Sequence, residues 1–271
     1  MSMTDIRQST QYAKYMSSLS WEAKKINSNF YYIKNLLFFK TVKLQRPKSL
    51  KKEDILKFSK MYKGLVNFII EPGNKIQEKN LKKLNFSLTS PFLPSKTRIL
   101  DLSLSEKNLL SNFSKNARYA LRKVDNSNMK IYREDNLESF YKSWKSSVQF
   151  GRYILSVSEL SKLKQAFGDN AIFLMSENKD SGAIFLVAND IGYYWQAFTS
   201  NQARKTNIQY SIVWEGVKWA KSKKCKLFDF EGIYDTRFPI KSWLGFSFFK
   251  KNFGGKEVEF PGAYQKWFLN F

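Results

Sequence analysis

From residue 129 onward, short apolar runs alternate with amphipathic helical patterns, and this alternation constrains the fold more than any other feature of the sequence. Apolar residues at steps of three and four predict helices, whereas short runs rich in aromatic and β-branched residues predict strands. The predicted order is strand, helix, helix, three strands, helix, strand, helix and strand, at residues 129–132, 137–148, 158–167, 171–175, 183–188, 192–198, 208–223, 226–230, 246–253 and 257–260. Mixed order of this kind predicts an α/β (mixed α+β) fold in which helices cover one central sheet.

The segment P-F-L-P-S-K, Pro91–Lys96, is the clearest linker signal, because it contains two prolines and no hydrophobic period. We therefore predict a domain boundary there, with an abbreviated α/β lobe at 1–96 and a larger domain at 97–271. The first lobe is predicted to contain helix, strand, strand, helix and strand, at 12–19, 30–33, 41–44, 52–62 and 66–70. The larger domain is predicted to begin with a strand at 99–102. A capping box, S-L-S-E at 103–106, then starts a helix that runs to Val124.

Basic residues outnumber acidic ones by 46 to 23, which gives the 271-residue chain a formal net charge of +23. A field of that size attracts polyanions, so nucleic acid, anionic lipid and phosphorylated precursors are candidate partners. A lysine-rich composition inherited from an AT-rich genome explains the same charge without any partner. Net charge bears on association and not on fold, so it does not decide between these two explanations.

The chain contains no histidine. This excludes Ser-His and Cys-His nucleophile pairs, His-ligated zinc and an imidazole base. Cys225 is the only cysteine, which excludes an intrachain disulfide and a Cys-rich metal site. Because Cys225 lies between two lysines just before an apolar run, and no histidine can activate it, we interpret it as a buried structural thiol.

The N-terminal residues Met1–Gln8 lack the apolar core of a signal peptide. The longest apolar runs, Tyr31–Phe39 and Leu65–Ile70, are too short or too interrupted, by Lys34 and Asn67, to span a bilayer. We therefore expect a cytoplasmic protein whose basic surface could rest on the inner face of an anionic membrane.

Three stretches of the larger domain stand out in order and together: D-L-S-L-S-E-K-N-L-L-S-N-F-S-K-N-A-R-Y-A-L-R-K-V at Asp101–Val124, W-E-G-V-K-W-A-K-S-K-K-C-K-L-F-D-F-E-G-I at Trp214–Ile233, and F-F-K-K-N-F-G-G-K-E-V-E-F-P-G at Phe248–Gly262. They resemble the Fem family of aminoacyltransferases that build peptidoglycan interpeptide bridges. Y-A-K-Y-M-S-S-L-S-W, Tyr12–Trp21, is similar to the W-A-K region near the N-terminus of that family. The resemblance implies a GNAT-like acyltransferase domain with a mixed central sheet, preceded by an abbreviated GNAT-like lobe.

The resemblance also implies an activity, which is transfer of an amino acid from aminoacyl-tRNA to an amine of a lipid-linked or UDP-linked muropeptide during cell wall biogenesis. No cofactor is expected, because the aminoacyl ester is already activated. An activated ester needs no enzyme nucleophile, so catalysis rests on positioning and on charge directed at the oxyanion. The absence of histidine agrees with such a mechanism.

Three residues are candidate catalytic groups. The resemblance places Lys250 at the functional lysine of the family's F-K element. Asp229 and Glu231 alternate with phenylalanines at the end of a predicted strand, so both carboxylates should point to one face, at the edge where α/β sheets bind ligands. Either acid could take the amine proton or bind the amine as a cation. A structural ion pair with Lys226 or Arg237 explains these acids equally well.

Other residues are candidates for substrate binding: Lys14, Lys115, Arg118, Arg122, Phe249, Tyr234 and Arg237. The basic residues from 115 to 123 could hold phosphates of tRNA or of the precursor, because guanidinium groups suit phosphate contacts. The solvated side of an amphipathic helix explains the same stripe. Lys14 is similar to a precursor-binding lysine of the family, and Arg152 lies near the position of a second phosphate-binding arginine. The run Tyr193–Trp195 could stack on a base, but we interpret it as core.

Two other functions remain open from the sequence. The first is a CoA-dependent GNAT N-acyltransferase, but the segment T-S-N-Q-A-R-K-T-N-I-Q, Thr199–Gln209, lacks the glycines that cradle a pyrophosphate at a helix N-terminus. The second is a non-catalytic RNA-binding relative, which the charge favours and which predicts a salt-sensitive affinity for many RNAs.

Overall fold

The computed structural model describes residues 3–148 and 153–270. Within them the chain forms two compact units. The first unit comprises residues 3–96, Asp235–Pro239 and 259–270, and the second comprises Thr97–Tyr234 and Ile240–Val258, apart from 149–152. The C-terminal residues therefore return to the first unit, whereas the sequence analysis assigned all of 97–271 to one domain.

The first unit is built on a six-stranded sheet with the order β1-β2-β3-β4-β13-β5, counted over the described residues. Strands β3 and β4 are parallel, and the other neighbouring pairs are antiparallel. The elements are α1 Thr10–Ser18, β1 Glu22–Ile26, β2 Asn29–Asn35, β3 Lys40–Gln45, α2 Lys52–Ser59, β4 Gly64–Glu71, α3 Lys75–Lys83, β5 Ser87–Thr89 and β13 Ala263–Asn270.

Alternation along these strands separates a core face from an outer face. Val42 and Leu44 of β3 lie beside Phe68 and Ile70 of β4, all fully buried. Successive residues of a strand point to opposite faces, so Lys43, between the two core residues of β3, lies on the other face. There its Nζ lies 4.8 Å from the centroid of the Trp21 ring.

The second unit contains a seven-stranded sheet with the order β12-β6-β11-β10-β9-β8-β7, again over the described residues. Strands β10 and β11 are parallel, and β10–β9, β9–β8, β8–β7 and β11–β6 are antiparallel. The elements are β6 Lys96–Asp101, α4 Glu106–Ser111, α5 Lys115–Asn126, β7 Ile131–Arg133, α6 Leu137–Ser147, α7 Val157–Phe167, β8 Ala171–Ser176, β9 Ser181–Ala188, β10 Ile191–Thr199, α8 Asn201–Thr206, α9 Ile208–Ser222, β11 Leu227–Asp229, α10 Leu244–Lys251 and β12 Lys256–Glu259.

The core of the second unit lies where α5 and α9 pack on the sheet. Leu121 and Val124 of α5 are buried three positions apart, as a helical stripe requires, and Ile212 and Val217 of α9 are fully buried. Phe185 of β9 is fully buried in the same cluster. The expected mixed α+β class, with helices against a mixed sheet, is therefore confirmed.

The capping box predicted at 103–106 is wrong. Ser103 instead donates from its backbone N and its Oγ to the Asp101 carboxylate, at 2.9 and 2.6 Å. Ser105 is the N-cap of α4, and Ser114 accepts from Ala117 N and starts a separate helix, α5. The single predicted helix is therefore two helices, because each of these serines satisfies free amides at a new helix start.

Several elements of the first unit were not predicted, namely β1, α3, β5 and β13. Strand β13 pairs antiparallel with both β4 and β5, so residues that follow the predicted last strand complete the first sheet. Its apolar residues alternate only in part, because Trp267 and Leu269 are exposed on the face opposite Phe268. Such a strand gives a weak period-2 signal.

Other expectations are confirmed. Asn189 and Asp190 have φ values of 52° and 60° and join β9 to β10, which is the left-handed pair that a tight hairpin requires. Cys225 is 5% exposed, and burial, with Asp190 nearby, raises the pKa of its thiol to about 12. Tyr193 and Tyr194 are buried, as the core interpretation requires, whereas Trp195 of the same run is only half-buried. Of the helices in the described ranges, none is long and apolar enough to cross a membrane.

Candidate functional site

The F-G-G element fixes the end of α10 in the second unit. Phe253 is fully buried, and its ring lies 5.4 Å from that of Phe230, which follows β11. Gly254 and Gly255 have φ values of 73° and 76°, and a Cβ on Gly255 would lie 2.4 Å from Ile99 O of β6. Only glycine fits both this backbone and this close approach. The pair therefore holds the helix end against the edge of the sheet.

Arg98 of β6 reinforces this arrangement. Its guanidinium donates to the carbonyl oxygens of Gly254 and Gly255, each at 3.0 Å, and to Glu257 at 2.6 Å. The Arg98 carbonyl accepts from Phe230 N at 3.0 Å. One residue of β6 thus ties both the glycine pair and the chain after β11 to the same strand.

The chain turns sharply after β11. The strand ends at Asp229, and Glu231 and Gly232 follow with φ values of 52° and 102°. This turn brings the carbonyl oxygens of Phe230 and Gly232 to one point, where the Lys250 side chain reaches them. The segment 229–232, which we call the β11 turn, and α10 together form the candidate site.

Lys250 is a buried cation held by backbone oxygens. Lys250 is only 7% exposed. Its Nζ donates to Phe230 O at 2.6 Å and to Gly232 O at 2.7 Å. Glu231 O lies 3.5 Å from Nζ, beyond the distance of an ordinary hydrogen bond. An ammonium has three N–H donors. Among the described residues, the third donor therefore has only this long contact.

The surroundings of Lys250 shift its protonation. Burial lowers the pKa of Lys250 to about 8, while the charges of Glu231 and Asp229 act in the opposite direction. The Nζ also lies 4.8 Å from the Phe246 ring centroid and 5.6 Å from that of Tyr194, distances at which aromatic rings attract a cation. At neutral pH the side chain is therefore mostly an ammonium, but one that titrates close to that range.

Asp229 organises the β11 turn. It is 1% exposed, and its Oδ1 accepts from Thr97 Oγ1 and, at 2.8 Å, from Glu231 N. The Thr97 hydroxyl in turn accepts from Gly232 N at 3.2 Å. Thr97 and Asp229 therefore fix the backbone whose carbonyls hold Lys250.

The expectation that Asp229 and Glu231 share one strand face is wrong. Strand alternation applies only to extended residues, and β11 ends at Asp229, whereas Glu231 has a left-handed backbone. Glu231 is half-buried, so solvent reaches one carboxylate and not the other. The two acids thus have different surroundings in the turn.

The two basic residues considered as structural partners have acids of their own. Lys226 Nζ lies 3.3 Å from Asp190 Oδ2 at an exposed position. Arg237, in the first unit, bonds to both oxygens of Asp235 and donates to the carbonyls of Ser95 and Phe260, each at 3.2 Å. Burial alone would raise the pKa of the Asp235 carboxyl, but the hydrogen bonds that Arg237 donates to it lower that pKa below its usual value. Arg237 therefore cross-links the first unit.

The remaining aromatic candidates pack within the second unit. The Phe249 ring lies 4.7 Å from that of Tyr210 and 5.3 Å from that of Phe253, so it supports α10 from the side. Tyr234 is half-buried, and its backbone N donates to Ser247 Oγ at 2.6 Å. Their roles toward a substrate stay predictions.

The basic candidates divide by what their side chains contact. Arg118 donates to the carbonyls of Ser111 and Phe113, where it closes the junction between α4 and α5. Lys115 and Arg122 of α5 are exposed, as is Lys14 on α1 of the first unit. Arg152 lies outside the described residues. Phosphate binding by the exposed residues stays a prediction.

Two polar residues of the site gave no signal in the sequence. Thr97 is 132 positions from the aspartate that it contacts. Gln209 of α9 donates to Tyr194 Oη at 2.6 Å and accepts from Ser181 Oγ at 2.6 Å, which orients the tyrosine ring beside Lys250. Both depend on contacts between strands and helices distant in the chain, so periodicity could not reveal them.

A metal site and a pyrophosphate cradle are the two alternative kinds of site. Among the described residues, no cluster of three or more acids and cysteines could hold a metal ion. The segment 199–209 forms the end of β10, the short helix α8 with Ser200 as its N-cap, and the start of α9. Asn207 takes the left-handed conformation between the two helices, with φ of 64°.

Comparison with known proteins finds likeness in structure rather than in sequence. No family model matches the sequence, and no curated protein matches it. Among solved structures, FemX superposes with a TM-score of 0.77 at 16% identity, over 96% of this chain and 92% of that one. The chain has the fold of FemX. The expected resemblance to the Fem family is confirmed at the level of the fold.

Other solved structures share this fold more distantly. L-PGS from Bacillus licheniformis has a TM-score of 0.58 at 13% identity, over 96% of this chain and 94% of that one. The C-terminal domain of a putative lysylphosphatidylglycerol synthetase from Agrobacterium fabrum has a TM-score of 0.62 at 13% identity, over 96% and 89%. A tandem GNAT protein from the clavulanic acid biosynthesis pathway has a TM-score of 0.53 at 7% identity, over 88% and 78%. The expected GNAT-like architecture is therefore confirmed.

Proposed function

We propose that this chain is an aminoacyltransferase that moves an amino acid from aminoacyl-tRNA to an amine of a peptidoglycan precursor. The observation that carries the proposal is the Lys250 ammonium, buried beside the β11 turn with two short hydrogen bonds to carbonyls and a third, long contact of 3.5 Å that a substrate oxygen could replace. The FemX fold supports the reaction class. A lipid-linked and a UDP-linked muropeptide are both acceptors of the required chemistry.

In the proposed reaction the acceptor amine attacks the ester carbonyl of the aminoacyl-tRNA. The C–N bond forms, the carbonyl oxygen becomes an oxyanion, and the ester C–O bond then breaks to release the terminal ribose hydroxyl. Lys250 donates its remaining N–H to the oxyanion. A fixed donor of this kind contributes about 3–4 kcal/mol of transition-state stabilisation, because it is already oriented and desolvated.

The acids take separate roles in this proposal. Asp229 is a positioning residue, because its Oδ1 is engaged by Thr97 and by the turn itself. Glu231 is the half-buried carboxylate and accepts a proton from the attacking amine. Glu231 then gives this same proton to the departing ribose oxygen as the ester bond breaks, so the carboxylate is regenerated and the proton count balances.

Substrate binding is assigned to exposed cations. Within the second unit, Lys115 and Arg122 on α5 bind phosphates of the tRNA or of the precursor. Within the first unit, the exposed Lys14 on α1 is a separate candidate for a precursor phosphate. The net charge of +23 accelerates capture of either polyanion. Arg118 and Arg237 support the fold around these functions, because their donors already bond to carbonyls or acids.

The test uses purified protein with a pool of radiolabelled aminoacyl-tRNAs and either lipid-linked or UDP-linked muropeptide. Lys250→Met removes the ammonium at nearly constant length, and Lys251→Met removes the exposed lysine beside it on the same helix. We expect wild type and Lys251→Met to transfer label and Lys250→Met to lose about 100-fold or more in rate. Thermal unfolding of both variants reports whether the loss reflects folding.

The other outcomes assign other functions. Transfer from acetyl-CoA alone would make the chain a CoA-dependent acyltransferase. No transfer from any donor, with RNA binding that collapses in salt, would make it a binding protein. Equal transfer by Lys250→Met and Lys251→Met would remove Lys250 from the mechanism.

A further inference from the structure

The turn between β2 and β3 in the first unit exposes large apolar side chains. Leu37 is 95% exposed and Phe38 86%, and Leu36 beside them is 44% exposed. Leu36 N donates to Phe39 O at 2.8 Å, which closes the turn and fixes its shape. We call residues 36–38 the apolar tip. Exposing such residues in water is unfavourable, so a largely exposed apolar tip indicates a partner.

The apolar tip continues into an apolar corner of the first sheet. The Phe39 ring packs edge-on against Trp267 of β13, with centroids 5.1 Å apart. Leu269 pairs with Leu65 of β4 across the ladder, at the same end of the sheet. In this corner Trp267 is 46% exposed, Leu269 is 60% exposed and Leu65 is 38% exposed. Tip and corner therefore face solvent together.

Cations outnumber acids around this surface. Lys34 and Lys40 lie on the two strands that carry the tip, and Lys63 precedes β4 at the same end of the sheet. Residues 23–52, 55–70 and 260–271 contain no aspartate or glutamate. Glu22 of β1, opposite Ile33 of β2, is an acid at this end of the sheet, so the rim is predominantly rather than wholly basic. A predominantly basic rim around an apolar tip complements one partner in particular: a bilayer whose headgroups are anionic and whose interior is hydrocarbon.

We propose that the first unit docks on anionic membranes by inserting the apolar tip between headgroups, with Lys34, Lys40 and Lys63 on the phosphates. Trp267 then lies at the level of the interface, where tryptophan is favoured. This surface is independent of the aminoacyl transfer proposed above, because none of its residues belongs to the candidate site. Its failure and the failure of that function are therefore distinguishable.

The first test measures co-sedimentation of the whole protein with vesicles of phosphatidylcholine alone and with vesicles that also contain phosphatidylglycerol. Leu37→Ser/Phe38→Ser is compared with Ile76→Ser, which removes a 76% exposed apolar side chain from α3, after the other end of β4. We expect wild type and Ile76→Ser to bind the anionic vesicles. The double variant should partition at least about tenfold more weakly, because it loses the buried apolar area.

A second readout reports insertion directly. Leu37→Cys is labelled with an environment-sensitive dye, and the native Cys225 does not compete because it is buried. We expect a blue shift of the dye emission on anionic vesicles and none for the same label at Ile76→Cys. Added salt should weaken binding, since it screens the lysines.

Three results would overturn the proposal. The first is a wild type that does not bind anionic vesicles. The second is a double variant that binds them as well as Ile76→Ser does, which would show that net charge alone drives binding. A wild-type dimer in solution that the double variant abolishes would assign the apolar tip to a second copy of this chain.

Discussion

Thr97→Val tests the polar support of the β11 turn. Valine has nearly the shape of threonine, so the change removes the hydroxyl and leaves packing at this 1% exposed position almost unaltered. The hydroxyl donates to the Asp229 carboxylate and accepts from Gly232 N. Both of those groups hold the backbone whose carbonyls bind Lys250.

The magnitude follows from the two hydrogen bonds that are lost. A hydrogen bond to a charged acceptor contributes about 1.5–3 kcal/mol, and a buried amide left without an acceptor costs about 1–3 kcal/mol. Some relaxation of the turn recovers part of this sum. We expect Thr97→Val to lower the free energy of unfolding by about 3 kcal/mol. Thr97→Ser keeps the hydroxyl and loses one methyl group, for about 1 kcal/mol.

Urea unfolding followed by circular dichroism measures both variants. The free energy of unfolding must depend on urea concentration with the same slope in wild type and in both variants, because only then does a shifted midpoint report stability alone. If Thr97→Val were no less stable than Thr97→Ser, the hydroxyl would not carry the turn. Thr97 would then not position the carbonyls of Phe230 and Gly232 that hold Lys250.

Two further predictions concern Lys250 and the glycine pair. Because the pKa of Lys250 is lowered to about 8, its ammonium is present below that pH and is lost above it, whereas arginine at the same position stays charged. The single-turnover rate of wild type relative to Lys250→Arg should therefore fall about tenfold between pH 7 and 9, and a flat ratio would contradict proton donation by Lys250. Gly255→Ala places a methyl group against Ile99 O in a left-handed backbone and should cost at least about 2 kcal/mol in thermal unfolding. Gly245→Ala, in α10 with open space around it, should stabilise the protein by about 0.5–1 kcal/mol.

Local patterns predicted most elements of the second unit, because each depends on residues close in the chain. The Asn189-Asp190 hairpin follows from two residues that tolerate positive φ, and α9 follows from an apolar stripe. The same reasoning failed at Ser103, where the serine bonds back to Asp101 instead of starting a helix. Two local hydrogen-bond partners were available to that serine, and sequence alone does not rank them.

The resemblance to a family motif made Lys250 a catalytic candidate, and the composition excluded histidine chemistry and an intrachain disulfide. What it could not determine was the environment of that lysine. The carbonyls that hold Nζ lie 20 and 18 positions away, and the threonine that fixes their turn lies 132 positions from Asp229. Long-range contacts of this kind are created only when β6, β11 and α10 pack together. Burial and the lowered pKa arise from that packing, so tertiary structure alone turned one lysine among many into a desolvated cation held by backbone carbonyls.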